Sequence, residues 1–299
     1  MDGRLVGLQN GRLRVIAQPD LGGGLTRFDA WLNGQWRPVF RGLDGVAQDP
    51  DELALYPLIP WCNRLYGGEF AWGAHPLRVP PNRAGEADPL HGQGWLQAWT
   101  VEATTPAQIV LEWDARDRHP WSYKARLHYR IEPDALVVEL EARNMGDSPF
   151  PFGLGLHPWF VRTGDVELEF NSTGRWEPDA TRMPRQLLRP AQGGYPVFGS
   201  ARRLPGEHID HVYEGWDGRA FVRWPSTGMQ LEMRSITPGA YLTVYSPVSG
   251  SEVDFFCVEP ITHRPGAHAE TAGQGHGLVV LQPGGVIRQL VRFSVSALA

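Results

Sequence analysis

The 299-residue chain lacks several features that mark common protein classes. Its 28 basic and 33 acidic side chains give a formal net charge of −5 without any basic tail. Nucleic-acid binding, which selects clustered positive charge, is therefore not expected. No run of roughly 18 apolar residues occurs, so we expect no membrane span. The opening residues lack the charged start, apolar run and cleavage site of a secretory signal, and we predict a cytoplasmic protein.

Cysteine and lysine are scarce as well. Cys62 and Cys257 are far apart in an unsignalled chain, so they are expected to be free thiols rather than a disulfide framework. The absence of a CxxC pair excludes a zinc site of the paired-cysteine type. Lys124 is the only lysine among the 28 basic residues, a bias typical of a GC-rich bacterial genome.

Helical patterns are rare, whereas patterns typical of strands recur along the chain. Apolar and polar residues alternate in "IVLEWD" (109–114), "YKARLHYRI" (123–131), "ALVVELEAR" (135–143), "AFVRW" (220–224), "MQLEMR" (229–234), "YLTVY" (241–245) and "VIRQLVRFSV" (286–295). The 35 glycines and 26 prolines fit many turns between short strands. We predict an all-β protein, an antiparallel sandwich or barrel, with residues 1–299 in one domain.

Two polar positions lie beside glycine turns in the first third of the chain. Asn63 and Arg64 precede a double glycine in "PWCNRLYGGEF" and could present a fork of donors to sugar hydroxyls or carboxylates. A solvated arginine beside a turn-capping asparagine is the alternative. His91, in "DPLHGQGW", precedes a glycine that lets the backbone approach a ligand closely. The alternative is a structural histidine bonded to a neighbouring carbonyl.

His157 and Glu259 occupy unusually apolar settings. His157 stands in "FGLGLHPWF", at a predicted strand end that Pro158 fixes, and would titrate near neutrality as a general acid should. A buried core histidine is the alternative. Glu259 follows an apolar strand that Pro260 is expected to end. A carboxylate there is uncommon, because burying a charge is costly unless the charge is paired or used.

Two further positions carry weaker signals. Asp210 lies between His208 and His211 in a turn-rich stretch, but the zincin pattern of a helix with a glutamate is missing, so no metal site is expected. Trp159 is a candidate platform for the apolar face of a sugar, although most tryptophans serve ordinary packing. Carboxylate and imidazole together suit paired proton transfer, and arginine with aspartate suits a polyhydroxylated ligand.

Four ordered motifs resemble the aldose 1-epimerase (galactose mutarotase-like) family. The similar segments are "NRLYGGEFAWGAHPLRVPPNRAGEADPLHGQGW", "GLGLHPWF", "CVEPITHRPGAH" and "LQPGGVIRQLVRFSV", and together they span roughly residues 10–295. The resemblance implies a large antiparallel β-sandwich of the galactose mutarotase (supersandwich) type with a sugar in a concave cleft. It also implies a monosaccharide substrate, no metal and no organic cofactor, in a monomer or homodimer.

The resemblance assigns roles to residues of this chain. Glu259 would be the general base on the sugar C1 hydroxyl, and His157 the general acid on the ring oxygen, facing Glu259 across a sugar-sized gap. Arg64, His91 and Asp210 would bind the ring oxygens and hydroxyls.

Three alternatives remain open from the sequence. A phosphorylated hexose would need extra cations at one end of the cleft, for which Arg78 and Arg83 are candidates. Glycoside hydrolysis would use Glu259 and Asp210 as paired carboxylates, but leaves the histidines without roles. A non-catalytic sugar-binding protein could use the same scaffold.

Overall fold

The computed structural model describes residues 4–73, 75–192, 198–236, 241–248, 255–270 and 276–298. Within these ranges there are six 3₁₀ turns, at Pro50–Glu52, Tyr66–Gly68, Gly94–Leu96, Pro190–Gln192, Pro225–Thr227 and Ala267–Ala269. None of these short turns could cross a membrane. The strands are β1 Val6–Gln9, β2 Leu13–Gln18, β3 Gly24–Leu32, β4 Gln35–Pro38, β5 Leu55–Leu58, β6 Glu69–Trp72, β7 His75–Arg78, β8 Thr100–Thr105, β9 Gln108–Ala115, β10 Tyr123–Ile131, β11 Ala135–Asn144, β12 Phe150–Phe152, β13 Gly155–Val161, β14 Glu167–Phe170, β15 Gly174–Pro178, β16 Pro184–Leu188, β17 Arg202–Arg203, β18 Ile209–Glu214, β19 Arg219–Trp224, β20 Met229–Ser235, β21 Tyr241–Ser246, β22 Phe255–Ile261, β23 Val279–Leu281 and β24 Val286–Ala297.

Two large sheets contain most of these strands. The first has the order β1-β2-β3-β5-β13-β22-β21-β18-β15-β16, with β4 paired to β3. The second has the order β17-β14-β19-β20-β24-β11-β10-β9-β8, and β6-β7 and β12-β23 form two small ribbons. The named strands pair antiparallel throughout. The all-β prediction is confirmed.

The two large sheets pack face to face around one aromatic and aliphatic core. Phe160 of β13 lies 6.5 Å from Trp224 of β19 between ring centroids, and Phe40 lies 5.2 Å from Phe293 of β24. The indole of Trp224 also donates a 2.8 Å hydrogen bond to the carbonyl of Val161. These contacts bury one face of each sheet, which is the arrangement of a β-sandwich.

All seven segments that the alternating pattern marked as strands lie within observed strands: β9, β10, β11, β19, β20, β21 and β24. A half-buried antiparallel strand needs one apolar face, so its period of two is visible in the local sequence.

The prediction that strands end at Pro158 and Pro260 is wrong. Strand β13 continues through Pro158, and β22 continues through Pro260 to Ile261. Proline cannot donate to a ladder, but the pairing of β13 with β22 is interrupted between the Gly155–Ile261 and Trp159–Cys257 pairs. Each strand can therefore carry a proline at this point without ending there.

Candidate active site

The candidate site lies on the face of the first sheet that points away from the second sheet. Successive side chains of a strand point to opposite faces. In β13, Phe160 belongs to the core between the sheets, so His157 and Trp159 point outward. In β22, Val258 belongs to that core, so Glu259 points outward as well.

Strand register assembles the site in two adjacent rows across the sheet. His157 pairs with Tyr56, and extending the Gly155–Ile261 and Trp159–Cys257 pairs places it opposite Glu259. The first row, from β5 to β21, is Tyr56, His157, Glu259 and Thr243, and the second, from β13 to β18, is Trp159, Cys257, Tyr245 and Asp210. Asp210 thus lies in a strand, not in the turn-rich stretch expected from its sequence.

His157 and Glu259 are in direct contact. The distance from His157 Nε2 to Glu259 Oε1 is 3.4 Å, and their side chains are only 8% and 4% exposed. They lie on the same face of the sheet, but the prediction of a sugar-sized gap between them is wrong. Neighbouring strands bring the two side chains together, so a ligand would lie over the pair rather than between its members.

Burial controls the protonation of this pair. It lowers the pKa of His157 to about 3, with a smaller lowering from Arg41. Burial also raises the pKa of Glu259 well above its usual value, helped by Asp210 and opposed by Arg64. Both shifts favour the neutral form of each side chain.

Aromatic rings hold the His157 imidazole. It stacks on Tyr56 with 4.7 Å between centroids and on Trp159 with 5.0 Å. The Trp159 ring also has the Arg41 guanidinium over it at 4.2 Å and Phe255 edge-on at 4.4 Å. Trp159 lines the cleft but is 8% exposed. Little ring face is left for a sugar, so Trp159 would meet a ligand by an edge and not as the stacking platform that the sequence suggested.

His91 reaches the cleft on a loop that is bonded to a second loop. The His91 amide donates to the Asn63 carbonyl at 2.9 Å, and the Asn63 amide donates to His91 Nδ1 at 3.2 Å. Burial, together with His157 and Arg64, lowers the pKa of His91 well below its usual value, so the ring is neutral. Because Nδ1 accepts a hydrogen bond, the proton of this ring lies on Nε2. His91 can thus donate to a ligand oxygen.

The glycine after His91 makes this loop contact possible. Gly92 has φ of +72° and bridges to Ile59, where a Cβ atom would come within 1.8 Å of the Ile59 carbonyl oxygen. No side chain larger than hydrogen fits there. The Asn82 amide group fixes the same loop by donating to the carbonyls of Leu90 and Gly92 at 2.8 and 2.6 Å.

Arg64 is fixed by a partner that the sequence did not reveal. Its Nε lies 3.2 Å from Glu86 Oε2, and its Nη2 lies 3.0 Å from both Glu86 oxygens. The two side chains are largely buried and both line the cleft. A two-point contact of this kind orients the planar guanidinium and leaves Nη1 for a ligand.

The cleft has a volume of about 380 Å³, and a second cavity of about 210 Å³ adjoins it. Its lining residues are Asp51, Tyr56, Asn63, Arg64, Glu86, Leu90, His91, His157, Trp159, Arg182, His208, Asp210, Tyr245, Phe255 and Glu259. All seven side chains named from the sequence as catalytic or substrate-binding are therefore in one cleft. Burial raises the pKa of Asp210, against the opposing charges of Arg64, His208 and Arg182.

The sequence missed other lining residues, among them Tyr56, Glu86, Arg182 and Tyr245. Tyr56 stands in the apolar run "ALYPLIPW", and Tyr245 in an ordinary strand pattern, so neither carries a local signal. Glu86 lies inside the segment that resembles the family, four residues before Leu90, and that position is the one signal that could have found it.

The two arginines suggested as phosphate ligands are not in the cleft lining. Arg83 Nη2 pairs with Asp49 at 2.7 Å and with Asp51 at 2.6 Å. Arg78 is largely exposed and lies 3.6 Å from Glu69. Asp51 itself lines the cleft, so Arg83 lies behind a lining carboxylate with its charge paired, and the lining arginines are Arg64 and Arg182.

Comparison with known proteins supports the family resemblance and the fold. The aldose 1-epimerase family model matches residues 4–294. The Escherichia coli (strain K12) protein YphB, described as uncharacterized, is 28% identical over 270 residues, which cover 85% of this chain and 88% of YphB. A putative aldose 1-epimerase from E. coli K12 superposes with a TM-score of 0.89 at 24% identity, covering 99% of both chains. A galactose mutarotase-like protein from Clostridium acetobutylicum gives a TM-score of 0.83 at 16% identity, covering 99% of this chain and 96% of that one. The expected galactose mutarotase type of sandwich is confirmed.

Proposed function

Because this chain belongs to the aldose 1-epimerase family, we propose that it interconverts the α and β anomers of a free aldose such as galactose or glucose. The observation that carries the proposal is the contact between His157 and Glu259. Two groups able to exchange a proton lie 3.4 Å apart, almost fully buried, at a cleft lined by sugar-binding side-chain types. Paired acid and base catalysis needs such an arrangement.

The chemistry of a hemiacetal explains why the acid and the base touch. The C1 hydroxyl oxygen and the ring oxygen are bonded to the same carbon, so the groups that serve them must be neighbours. Glu259 removes the proton of the C1 hydroxyl while His157 gives a proton to the ring oxygen. The bond between C1 and the ring oxygen breaks, and an aldehyde forms. Rotation about C1–C2 and the reverse proton transfers close the ring as the other anomer.

The pair carries the right number of protons for this reaction. The mechanism needs ionised Glu259 and protonated His157, which together hold one proton, as the neutral pair does. Moving that proton from the carboxyl to the imidazole prepares the acid and the base in one step. The π faces of Tyr56 and Trp159 against His157 favour the imidazolium, and the charge of Arg64 lowers the pKa of Glu259.

The remaining cleft residues would hold and orient the sugar. His91 offers an Nε2–H donor, and Arg64 offers the donor that Glu86 leaves unused. Asp210 would accept from hydroxyls at the end of the sugar remote from C1, and Asn63 lies between these groups in the cleft lining. None of these steps requires a metal or an organic cofactor.

Polarimetry on fresh solutions of α-glucose and α-galactose tests the proposal. The optical rotation should reach equilibrium faster with the protein than in buffer alone, and an unchanged rate would refute the activity. Sugar binding without acceleration would indicate a non-catalytic binding protein. Release of nitrophenol from nitrophenyl glycosides would instead indicate hydrolysis by Glu259 and Asp210, a reaction that leaves the contact with His157 without a purpose.

A hexose 6-phosphate is the second candidate substrate, favoured by one observation. Arg182 lines both the main cleft and the adjoining cavity, at the end near Asp210. A guanidinium in that position could bind a phosphate carried at C6 of a sugar whose C1 lies over Glu259. A panel of aldoses and their 6-phosphates, compared by the ratio kcat/KM, separates the two substrates.

A further inference from the structure

Cys257 adds a third metal-binding side chain to the contact between His157 and Glu259. It precedes Glu259 by two residues in β22, and the alternation of a strand places both on the same face. A ligand atom from each of the three residues lies within 4.8 Å of the other two, and all three residues are buried. We propose that these side chains bind a divalent cation of borderline softness, Zn²⁺ or Co²⁺, which inhibits the enzyme.

The distances suit a single ion. Zinc binds nitrogen and oxygen at about 2.0–2.2 Å and sulfur at about 2.3 Å, so neighbouring ligand atoms in a tetrahedral site are about 3.4–3.7 Å apart. His157 Nε2 and Glu259 Oε1 already have that spacing, at 3.4 Å. Three atoms within 4.8 Å of one another all lie within about 2.8 Å of one common point, by triangle geometry. Small side-chain rotations would complete the site, with water from the cleft as fourth ligand.

The chemistry of the donors decides which ion fits. A thiolate and a carboxylate balance the charge of a divalent cation, so the bound group is neutral in a buried setting where an isolated charge would be costly. Sulfur and imidazole donors favour Zn²⁺ and Co²⁺, whereas Mg²⁺ and Ca²⁺ require oxygen donors. Three protein ligands leave one coordination position for water. In this respect the proposed site resembles catalytic zinc sites, which keep such a position, and not structural sites, in which the protein supplies all four ligands.

Inhibition follows from the identity of the ligands and rests on the proposed function. An ion bound to His157 Nε2 and to the Glu259 carboxylate occupies the two groups that would transfer protons. Cys257 has no part in the proposed reaction, so it would tune sensitivity to metal without contributing to turnover.

Cobalt titration of the full-length protein tests the site without reference to activity. Co²⁺ bound to a thiolate gives a sulfur-to-metal absorption band in the near ultraviolet. We expect this band in the wild type and in Cys62→Ser, the matched control, whose buried thiol belongs to the same apolar cluster as Cys257. It should be lost in Cys257→Ser, with Co²⁺ affinity falling by more than the roughly 10- to 100-fold that an outer-shell partner is worth.

Two results would overturn the proposal: no band in the wild type, or a band that survives Cys257→Ser. If that variant does not fold, Glu259→Gln, which keeps the side-chain shape, should weaken Co²⁺ binding instead, and unchanged binding would also refute the site. A wild type that binds Co²⁺ but never accelerates mutarotation would refute the proposed function alone. In an active protein, Zn²⁺ should stop turnover and EDTA should restore it, and Cys257→Ser should need more Zn²⁺ for the same inhibition.

Discussion

His157 and His263 are both buried imidazoles beside the same sheet, and they differ in what their nitrogens meet. Burial lowers the pKa of each, to about 3 for His157 and about 4 for His263. His263 accepts from the Cys62 amide through Nε2 and donates to the Arg264 carbonyl through Nδ1, both at 2.9 Å. His157 instead points its Nε2 at a carboxyl group that lines a cleft.

The comparison shows that a depressed pKa does not identify a catalytic histidine. Both rings are neutral for the same reason, since burial penalises the charged form. His263 donates its one ring proton to a backbone carbonyl and accepts from a backbone amide through the other nitrogen, so neither nitrogen is free to exchange a proton. His157 Nε2 and the Glu259 carboxyl group lie 3.4 Å apart and both line a cleft, which is what proton exchange with a ligand would require. Access and an exchangeable partner, rather than burial, distinguish a candidate acid from a structural histidine.

Replacing Glu259 or His157 should have the largest effect on kcat. Glu259→Gln and His157→Asn keep the approximate side-chain shape but cannot transfer a proton, so each should lower kcat by roughly 10²- to 10⁴-fold. Polarimetric rates across substrate concentrations would measure this, with circular dichroism to check the fold. Variants that retain wild-type kcat while folding normally would remove both residues from the mechanism.

Replacing the structural His263 should lower the free energy of unfolding and leave turnover nearly unchanged. His263→Ala would leave the Cys62 amide unpaired and would open a cavity beside Gly153, whereas the Arg264 carbonyl would keep its 3.2 Å hydrogen bond from the Ala267 amide. We expect the free energy of unfolding to fall by about 2–4 kcal/mol, measured by urea denaturation. Turnover per folded molecule should stay within about twofold of wild type, because no reacting atom is touched.

The pH dependence of the free energy of unfolding tests the assignment of His263 as a buried, neutral histidine. The pKa of His263 is about 4 in the folded protein and near 6.5 in the unfolded chain. As pH falls below 6.5, the unfolded chain binds a proton that the folded protein refuses, so stability declines toward pH 4 by up to about 1.4 kcal/mol per unit for this group. His263→Ala should show a shallower decline over that window. Parallel curves for the two proteins would contradict the assignment.

Much of the fold could be predicted from the sequence, because its signals are local. The period-two patterns of "YKARLHYRI" and "ALVVELEAR" mark strands that the structure places at 123–131 and 135–144. The strand ends at Pro158 and Pro260 could not be predicted in the same way. Whether a proline ends a strand depends on the neighbouring strand and its ladder, which lies far away in sequence.

The sequence predicted seven of the residues that line the candidate site, but neither the other lining residues nor the geometry. Resemblance to a family named His157, Glu259 and Arg64, and the structure brings them into one cleft. The 3.4 Å contact between His157 and Glu259 follows from the register of β13 against β22, which no local pattern encodes. The contacts of Arg41 with Trp159, which cover its ring, arise in the same way.

The smallest expected effect concerns an orienting contact rather than a reacting group. Glu86→Gln keeps the shape of the side chain that holds Arg64 but replaces a charged acceptor by a neutral one, a loss of about 1 kcal/mol. If Arg64 binds the sugar equally in the ground and transition states, KM should rise about fivefold with kcat nearly unchanged. Glu69→Gln makes the same chemical change in a longer, solvent-exposed pairing with Arg78 outside the cleft lining, so it serves as the control and should leave both constants unchanged. A fall in kcat at constant KM in Glu86→Gln would instead mean that Arg64 acts on the reacting atoms, and its role would move from binding the sugar to stabilising the opening ring.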